Sequence, residues 1–239
     1  MHTRFTLILL FIVFGGNAQQ ADSLFTRSDM QKTKSFGSTV KPFIVPLSLI
    51  TYGVISQTSE DLKEFDLSIK TEVRKKDPDF HTPIDNYLQY TPGLAVYTLN
   101  AMGIKGKHNF KDRTMSFALS TIISGIIVQS IKASTKVRRP DGFGSNAFPS
   151  GHTATAFAGA EFLRQEYKDL SPWYSIAGYT VATTTGILRM YNNKHWFRDV
   201  MAGAGFGILS TQVAYWLEPK IAKVLFHKKP AVHFNPANF

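Results

Sequence analysis

The chain is predicted to be all-α, a membrane-associated bundle of about five to six helices. Three observations predict it. Five runs, Pro42–Ser59, Asn86–Ile104, Thr114–Ile131, Pro172–Leu188 and Val200–Leu217, carry no charged residue over 17–19 positions each, close to the roughly 20 residues that cross a bilayer core. They are rich in Ala, Gly, Leu and Ile and lack the alternation of a half-buried strand. Small residues recur at helical spacing at Gly178, Ala182 and Gly186, with a second cluster at Gly203, Gly205 and Gly207, and such positions let helix backbones approach closely.

Each segment follows in order. Residues 1–18 read as a signal peptide: Arg4 supplies the positive end, Phe5–Phe14 the apolar core and Gly16-Asn17-Ala18 the small residues before cleavage. An uncleaved anchor is the rival reading. Residues 19–85 form a polar N-terminal region with one apolar segment. Within it Pro42–Ser59 either spans or, because of Pro42 and Pro46, packs without crossing, and Glu60–Asp85 is a solvated, partly helical connection of mixed charge. Residues 86–217 hold the catalytic helical domain, including an apolar helix over Thr153–Tyr167 that carries Glu161 and Arg164. Residues 218–239 are a basic tail.

The net charge is +10, with 27 Lys and Arg against 17 Asp and Glu. No nucleic-acid motif accompanies it, so the basic balance is assigned to a membrane surface and anionic lipid. Cysteine is absent, which removes disulfides and thiolate metal sites. The mean hydropathy of −0.09 is low for several spans, and a soluble periplasmic bundle stands as the alternative. The loop Lys105–Arg113 has Lys105, Lys107, Lys111 and Arg113 against Asp112, and the tail has Lys220, Lys223, Lys228 and Lys229. The positive-inside rule puts both in the cytoplasm, together with the short Glu166–Ser171 loop. The loops around Arg139–Ser150 and Arg189–His195 then share the outer face, and the bacterial inner membrane with a periplasmic site is the expected location.

Those two loops carry the chemistry. The chain contains Lys132 and Arg139 followed by Pro140, then Pro149-Ser150-Gly151-His152, then Arg189, His195 and Asp199. Positions seven apart return to one helical face, so Lys132 and Arg139 are expected to point the same way, with the helix stopping at Pro140. His195 and Asp199 are four apart, which places a carboxylate beside a ring where it fixes the tautomer. Ser150 fits an N-cap, and the helix start beyond it aims N–H groups at an anion. Three strong cations, two histidines and one carboxylate are the inventory for holding a phosphate and transferring it through histidine. A histidine and an aspartate on one helical face also suit a metal. His2, His81, His108, His227 and His233 lie outside the set and are left structural or solvent-facing; Lys136 and Arg138 lie off the Lys132/Arg139 face.

In that order the three motifs resemble the type 2 phosphatidic acid phosphatase (PAP2) superfamily, over roughly residues 85–217. One departure is Leu188, where the family usually has serine before the arginine, which puts one hydroxyl contact to phosphate in question. The resemblance implies a lipid-phosphate phosphatase working through phosphohistidine. It makes His195 the nucleophile, Asp199 its orienting carboxylate and His152 the general acid. Lys132, Arg139, Ser150, Gly151 and Arg189 become the phosphate cradle, with no metal and no cofactor. The implied partner is a phosphorylated membrane lipid: lipid A, undecaprenyl pyrophosphate, phosphatidylglycerophosphate or phosphatidic acid. A soluble acid phosphatase, a vanadium haloperoxidase and a silent lipid-phosphate binder are the other readings. Oligomeric state is not legible.

Overall fold

The computed structural model describes residues 36–75 and 77–226. The signal-peptide reading and the lysines at 228 and 229 lie outside the described residues. The described residues from Val40 on form one compact unit. Among the described residues there are eight helices and no strand: α1 (Phe36–Ile55), α2 (Glu60–Lys75), α3 (Ile84–Leu88), α4 (Thr91–Ala101), α5 (Phe110–Thr135), α6 (Gly151–Tyr167), α7 (Pro172–Tyr191) and α8 (Phe197–Phe226). The all-α class holds, with more helices than the five to six expected.

Two differences account for the count. Asn86–Ile104 is not one helix: α3 ends at Leu88, and α4 begins around Pro92. Proline has no N–H and a fixed φ, so it sits easily in a first turn and poorly in a continuing helix. Glu60–Asp85 is not merely a solvated connection either. Its α2 docks through a buried carboxylate, Asp66, which pairs with Arg198 at 2.7 Å and accepts the Arg198 backbone N–H at 3.1 Å. Two helices, α5 and the Phe197–Lys223 part of α8, are long and apolar enough to cross a membrane; Lys41–Ile55 is apolar but shorter. The sequence leads instead to an expectation of five spans plus a half-buried Pro42–Ser59 element.

α6 is the central element and packs against α3, α4, α5, α7 and α8. It is buried on nearly every side, and its Ala and Gly content makes that close packing feasible. A Cβ on Gly203 of α8 would come within 2.5 Å of the Ser150 carbonyl, and one on Gly207 would strike the Ala154 carbonyl. Helices α6 and α8 therefore touch backbone to backbone, which a larger residue forbids. Gly178 of α7 would meet Leu163 at 3.0 Å. Along α6 an aromatic layer forms at Phe162, stacked on Phe117 with centroids 4.5 Å apart.

Glu161, a costly residue if left against lipid, is fully buried and fully satisfied. Arg164 donates to it through Nε at 2.7 Å and Nη2 at 2.6 Å, Gln165 at 2.7 Å, and the Tyr179 hydroxyl at 2.5 Å. Buried Glu166 likewise takes His108 Nδ1 at 2.7 Å and the Tyr215 hydroxyl at 2.6 Å. His108 is thus structural. Arg113, counted in the basic loop, is buried and donates to the His108 and Asn109 carbonyls. It is a clamp on the α5 start rather than a surface charge.

Candidate active site

Close contact between α6 and α8 brings the second and third motifs together. The Ser150 N–H donates to the Asp199 carbonyl at 2.9 Å. Ser150 is the buried N-cap of α6, its Oγ accepting from the Thr153 N–H at 3.5 Å and the Thr153 hydroxyl at 2.9 Å. Both contacts use the oxygen as acceptor, so the hydroxyl proton is left for another partner. Gly151 opens the helix, and a Cβ there would lie 3.9 Å from Lys132 Cε. The first cation therefore reaches over the α6 N-terminus, where exposed N–H groups and the helix dipole favour an anion.

The shared helical face for Lys132 and Arg139 is not observed. α5 stops at Thr135, and Lys136 turns left-handed at φ 47°. Tertiary pairing ends the helix before Pro140: the Val137 carbonyl accepts from Ala147 at 2.9 Å, and the Arg139 N–H donates to Gly144 at 3.1 Å. The two cations converge by another route. Lys132 Nζ donates to the Asn146 carbonyl at 2.5 Å, and Arg139 Nε donates to Asn146 Oδ1 at 2.8 Å.

His195 precedes α8, and Asp199 lies in its first turn. The ring Nδ1 and Asp199 Oδ2 face each other at 3.6 Å, too long for a hydrogen bond. The Trp196 N–H holds Oδ2 at 2.9 Å instead. His195 Nδ1 and Asp199 Oδ1 are buried without a partner, as is Arg189 Nε. Burial pushes the His195 ring well below the usual histidine range, and Arg189, Lys132 and Arg139 push the same way. His152 is lowered to about 4, first by burial and then by Arg189. Two neutral imidazoles under three cations describe a site suited to an anion.

The loops are stitched to their surroundings. Lys194 pairs with Asp141 at 2.8 Å, and the Trp196 indole N–H donates to the Arg138 carbonyl at 3.0 Å. From α2, Lys70 donates to the Pro140 carbonyl at 2.7 Å. The structure thus gathers Lys132, Arg139, Ser150, Gly151, His152, Arg189, His195 and Asp199 at one end of α6. Leu188 is half-buried and brings no hydroxyl. Sequence reasoning missed Asp85, whose Oδ2 holds Arg189 Nη1 at 2.5 Å with both side chains buried. It missed Asn86, with Oδ1 at 2.9 Å from His152 Nε2, and Asn146 too. Asp85 and Asn86 straddle a charged stretch and an uncharged run, and nothing local marks either.

A cavity of about 270 Å³ lies between α5 and α6, lined by Phe117, Gly125, Val128, His152, Ala154 and Ala158 among others. It gives an apolar approach to His152. A larger one, about 800 Å³, lies away from the constellation toward the C-terminal half of α6, beside Phe43, Glu161 and Arg164.

Residues 113–223 match the model of the PAP2 superfamily. A lipid A 1-phosphatase of Porphyromonas gingivalis is 46% identical over 143 residues, covering 59% of this chain and 32% of that protein. The bacitracin transport permease protein BcrC of Bacillus licheniformis is 34% identical over 77 residues, covering 32% of this chain and 36% of that protein. The chain thus spans about a third of the length of these curated relatives. Among solved structures, a transmembrane PAP2-type phosphatidylglycerolphosphate phosphatase from Bacillus subtilis aligns with a TM-score of 0.52 at 21% identity, covering 74% of this chain and 97% of that one. That likeness concerns the fold.

Proposed function

The chain belongs to the PAP2 superfamily, and we propose that it is a metal-independent phosphatase of an envelope lipid, with a lipid A phosphate as the foremost substrate. The carrying observation is the convergence of Lys132, Arg139 and Arg189 on two neutral histidines beside an apolar cavity. The relationship to a lipid A 1-phosphatase supports the choice of lipid. Undecaprenyl pyrophosphate is the second substrate to try.

The three cations and the Ser150 and Gly151 groups hold the phosphoryl oxygens, where positioned charge does most of the work. The His195 Nε2 lone pair attacks phosphorus, and the bond to the lipid oxygen breaks. His152, as imidazolium, protonates that oxygen. Asp199 stabilises the positive phosphohistidine ring. His152, now neutral, takes a proton from water, whose oxygen displaces His195 and releases inorganic phosphate. α5 and α8 cross the inner membrane, and the site opens to the periplasm.

The test is phosphate release by purified protein from lipid A, undecaprenyl pyrophosphate, phosphatidylglycerophosphate and phosphatidic acid with EDTA present. Release from lipid A in EDTA, inhibited by vanadate, is the expected result. Release from none of these lipids, or activity only with added Mg²⁺, would defeat the proposal.

A further inference from the structure

The segment joining α2 to α4 contributes nothing to the three motifs, yet it reaches the site. It is fastened to the end of α7. Arg74 of α2 donates to the Phe80 carbonyl at 3.2 Å and to the Tyr191 carbonyl at 2.7 Å. Thr82 and Asn192 exchange two hydrogen bonds of 2.9 Å. Asp85, 1% exposed, pairs with Arg189. From that base the next residue, Asn86, places its side-chain oxygen 2.9 Å from His152 Nε2. Gln89 ties down the Asn86 carbonyl at 2.8 Å.

We propose that Asn86 is a positioning residue for His152: its side-chain carbonyl accepts the Nε2 proton, fixes the ring and its tautomer, and makes Nδ1 the nitrogen that gives and takes the reaction's proton.

The chemistry sets which end of the amide faces the ring. A general acid is an imidazolium, and both its nitrogens are donors, so only the amide oxygen can oppose Nε2. After Nδ1 delivers its proton to the leaving oxygen, Nε2 keeps its own against Asn86. The Nδ1 lone pair is then already aimed where water must lose a proton. No ring flip or tautomer exchange separates the two half-reactions. A water molecule could also accept from Nε2, but it would fix neither the ring plane nor the tautomer. Asn86 is itself exposed; what makes it rigid is the buried Asp85–Arg189 pair one residue away.

The charged and titratable groups bearing on His152 are Arg189 of α7, Asp85 of α3, His195 before α8 and Arg139 after α5, with the Lys132 stem close to neighbouring Gly151. Asn86→Asp keeps an acceptor in place and adds one negative charge. Asn86→Ala removes the acceptor.

The kinetic arm of the test rests on the phosphatase reading; the spectroscopic arm does not. In Asn86→Ala, kcat falls about tenfold or more, a part of the ~10²–10⁴ a general acid supplies, while KM changes little. In Asn86→Asp, activity is retained and the alkaline limb of kcat moves up by about one pH unit, because a carboxylate stabilises the imidazolium. In ¹⁵N-histidine NMR of the whole protein in detergent, with the His152 signal assigned from His152→Gln, neutral His152 has its proton on Nε2 in the wild type, and this preference is lost in Asn86→Ala. An unchanged kcat and alkaline limb in Asn86→Ala, or a wild-type His152 protonated on Nδ1, overturns the proposal. A wild-type protein that releases no phosphate defeats the phosphatase reading instead, and the tautomer measurement still decides the role of Asn86.

Discussion

His195 is 4% exposed, and that burial suits it to the nucleophile's role proposed for it. With burial and three neighbouring cations holding its proton affinity down, the ring is neutral at and below neutral pH. Replacing it by alanine is expected to cut phosphate release by about 10³-fold or more. An acid-labile, base-stable phosphate should be trapped on wild-type protein and not on His195→Ala; near-normal activity in the variant would remove His195 from the role. In the proposed mechanism His152 has the opposite requirement, since a general acid must carry a proton. In the free protein it is lowered to about 4, and a bound phosphate dianion beside it raises that value. The kcat/KM profile reports the free protein and kcat the complex. The alkaline limb of kcat is therefore expected at higher pH than that of kcat/KM, and coincident limbs in the two profiles would contradict this. The charged and histidine members of the site were legible because their types and spacings are rare together. Asp85, Asn86 and Asp66 were not. A carboxylate looks like solvated surface until its partner is known, and the partner of Asp85 lies 104 positions away.

At the level of single elements, the uncharged runs marked the later helices well and their ends poorly. Thr114–Ile131 sits inside α5, and Val200–Leu217 inside α8. Both helices extend into charged residues at their ends, where a side chain such as Lys132 or Arg198 finds a partner of its own. The α5 stop at Thr135 was illegible because pairing of Val137 with Ala147, not local propensity, ends the helix. The glycines of α8 were legible as contact points, but not their consequence, which is to press Ser150 against the α8 backbone one turn beyond Asp199. Gly207→Ala tests this packing. Its methyl would strike the Ala154 carbonyl and approach the Ala158 N–H at 2.9 Å, both fixed backbone atoms. A loss of about 1–3 kcal/mol is expected from such overpacking, read as a lowered unfolding midpoint in detergent. An unchanged midpoint would mean that the α6–α8 contact is looser than described.

For the whole molecule, α5 is the ruler. Its 26 residues extend about 39 Å at 1.5 Å per residue, with Lys107 before its start and Ser145 beyond its end, both exposed. The cysteine-free background permits single-site labelling. A membrane-impermeant thiol reagent on cells with a permeabilised outer envelope is expected to label Ser145→Cys and to spare Lys107→Cys until the inner membrane is broken. Labelling of both at once would favour a soluble periplasmic protein, and the inverse pattern a site facing the cytoplasm. Whole-molecule topology was only partly legible: α2, read as a connection, turns out to brace the Arg139 loop and the α8 start, because its one buried carboxylate finds Arg198. The order of synthesis adds a constraint of its own. α6 emerges with Glu161 and Glu166, whose hydroxyl partners, Tyr179 and Tyr215, sit on helices not yet made. Until α7 and α8 arrive, those two carboxylates lack part of the hydrogen bonding that burial demands. Burial of α6 is therefore coupled to completion of the C-terminal half, so a chain stopped after α6 leaves both carboxylates without their tyrosine partners.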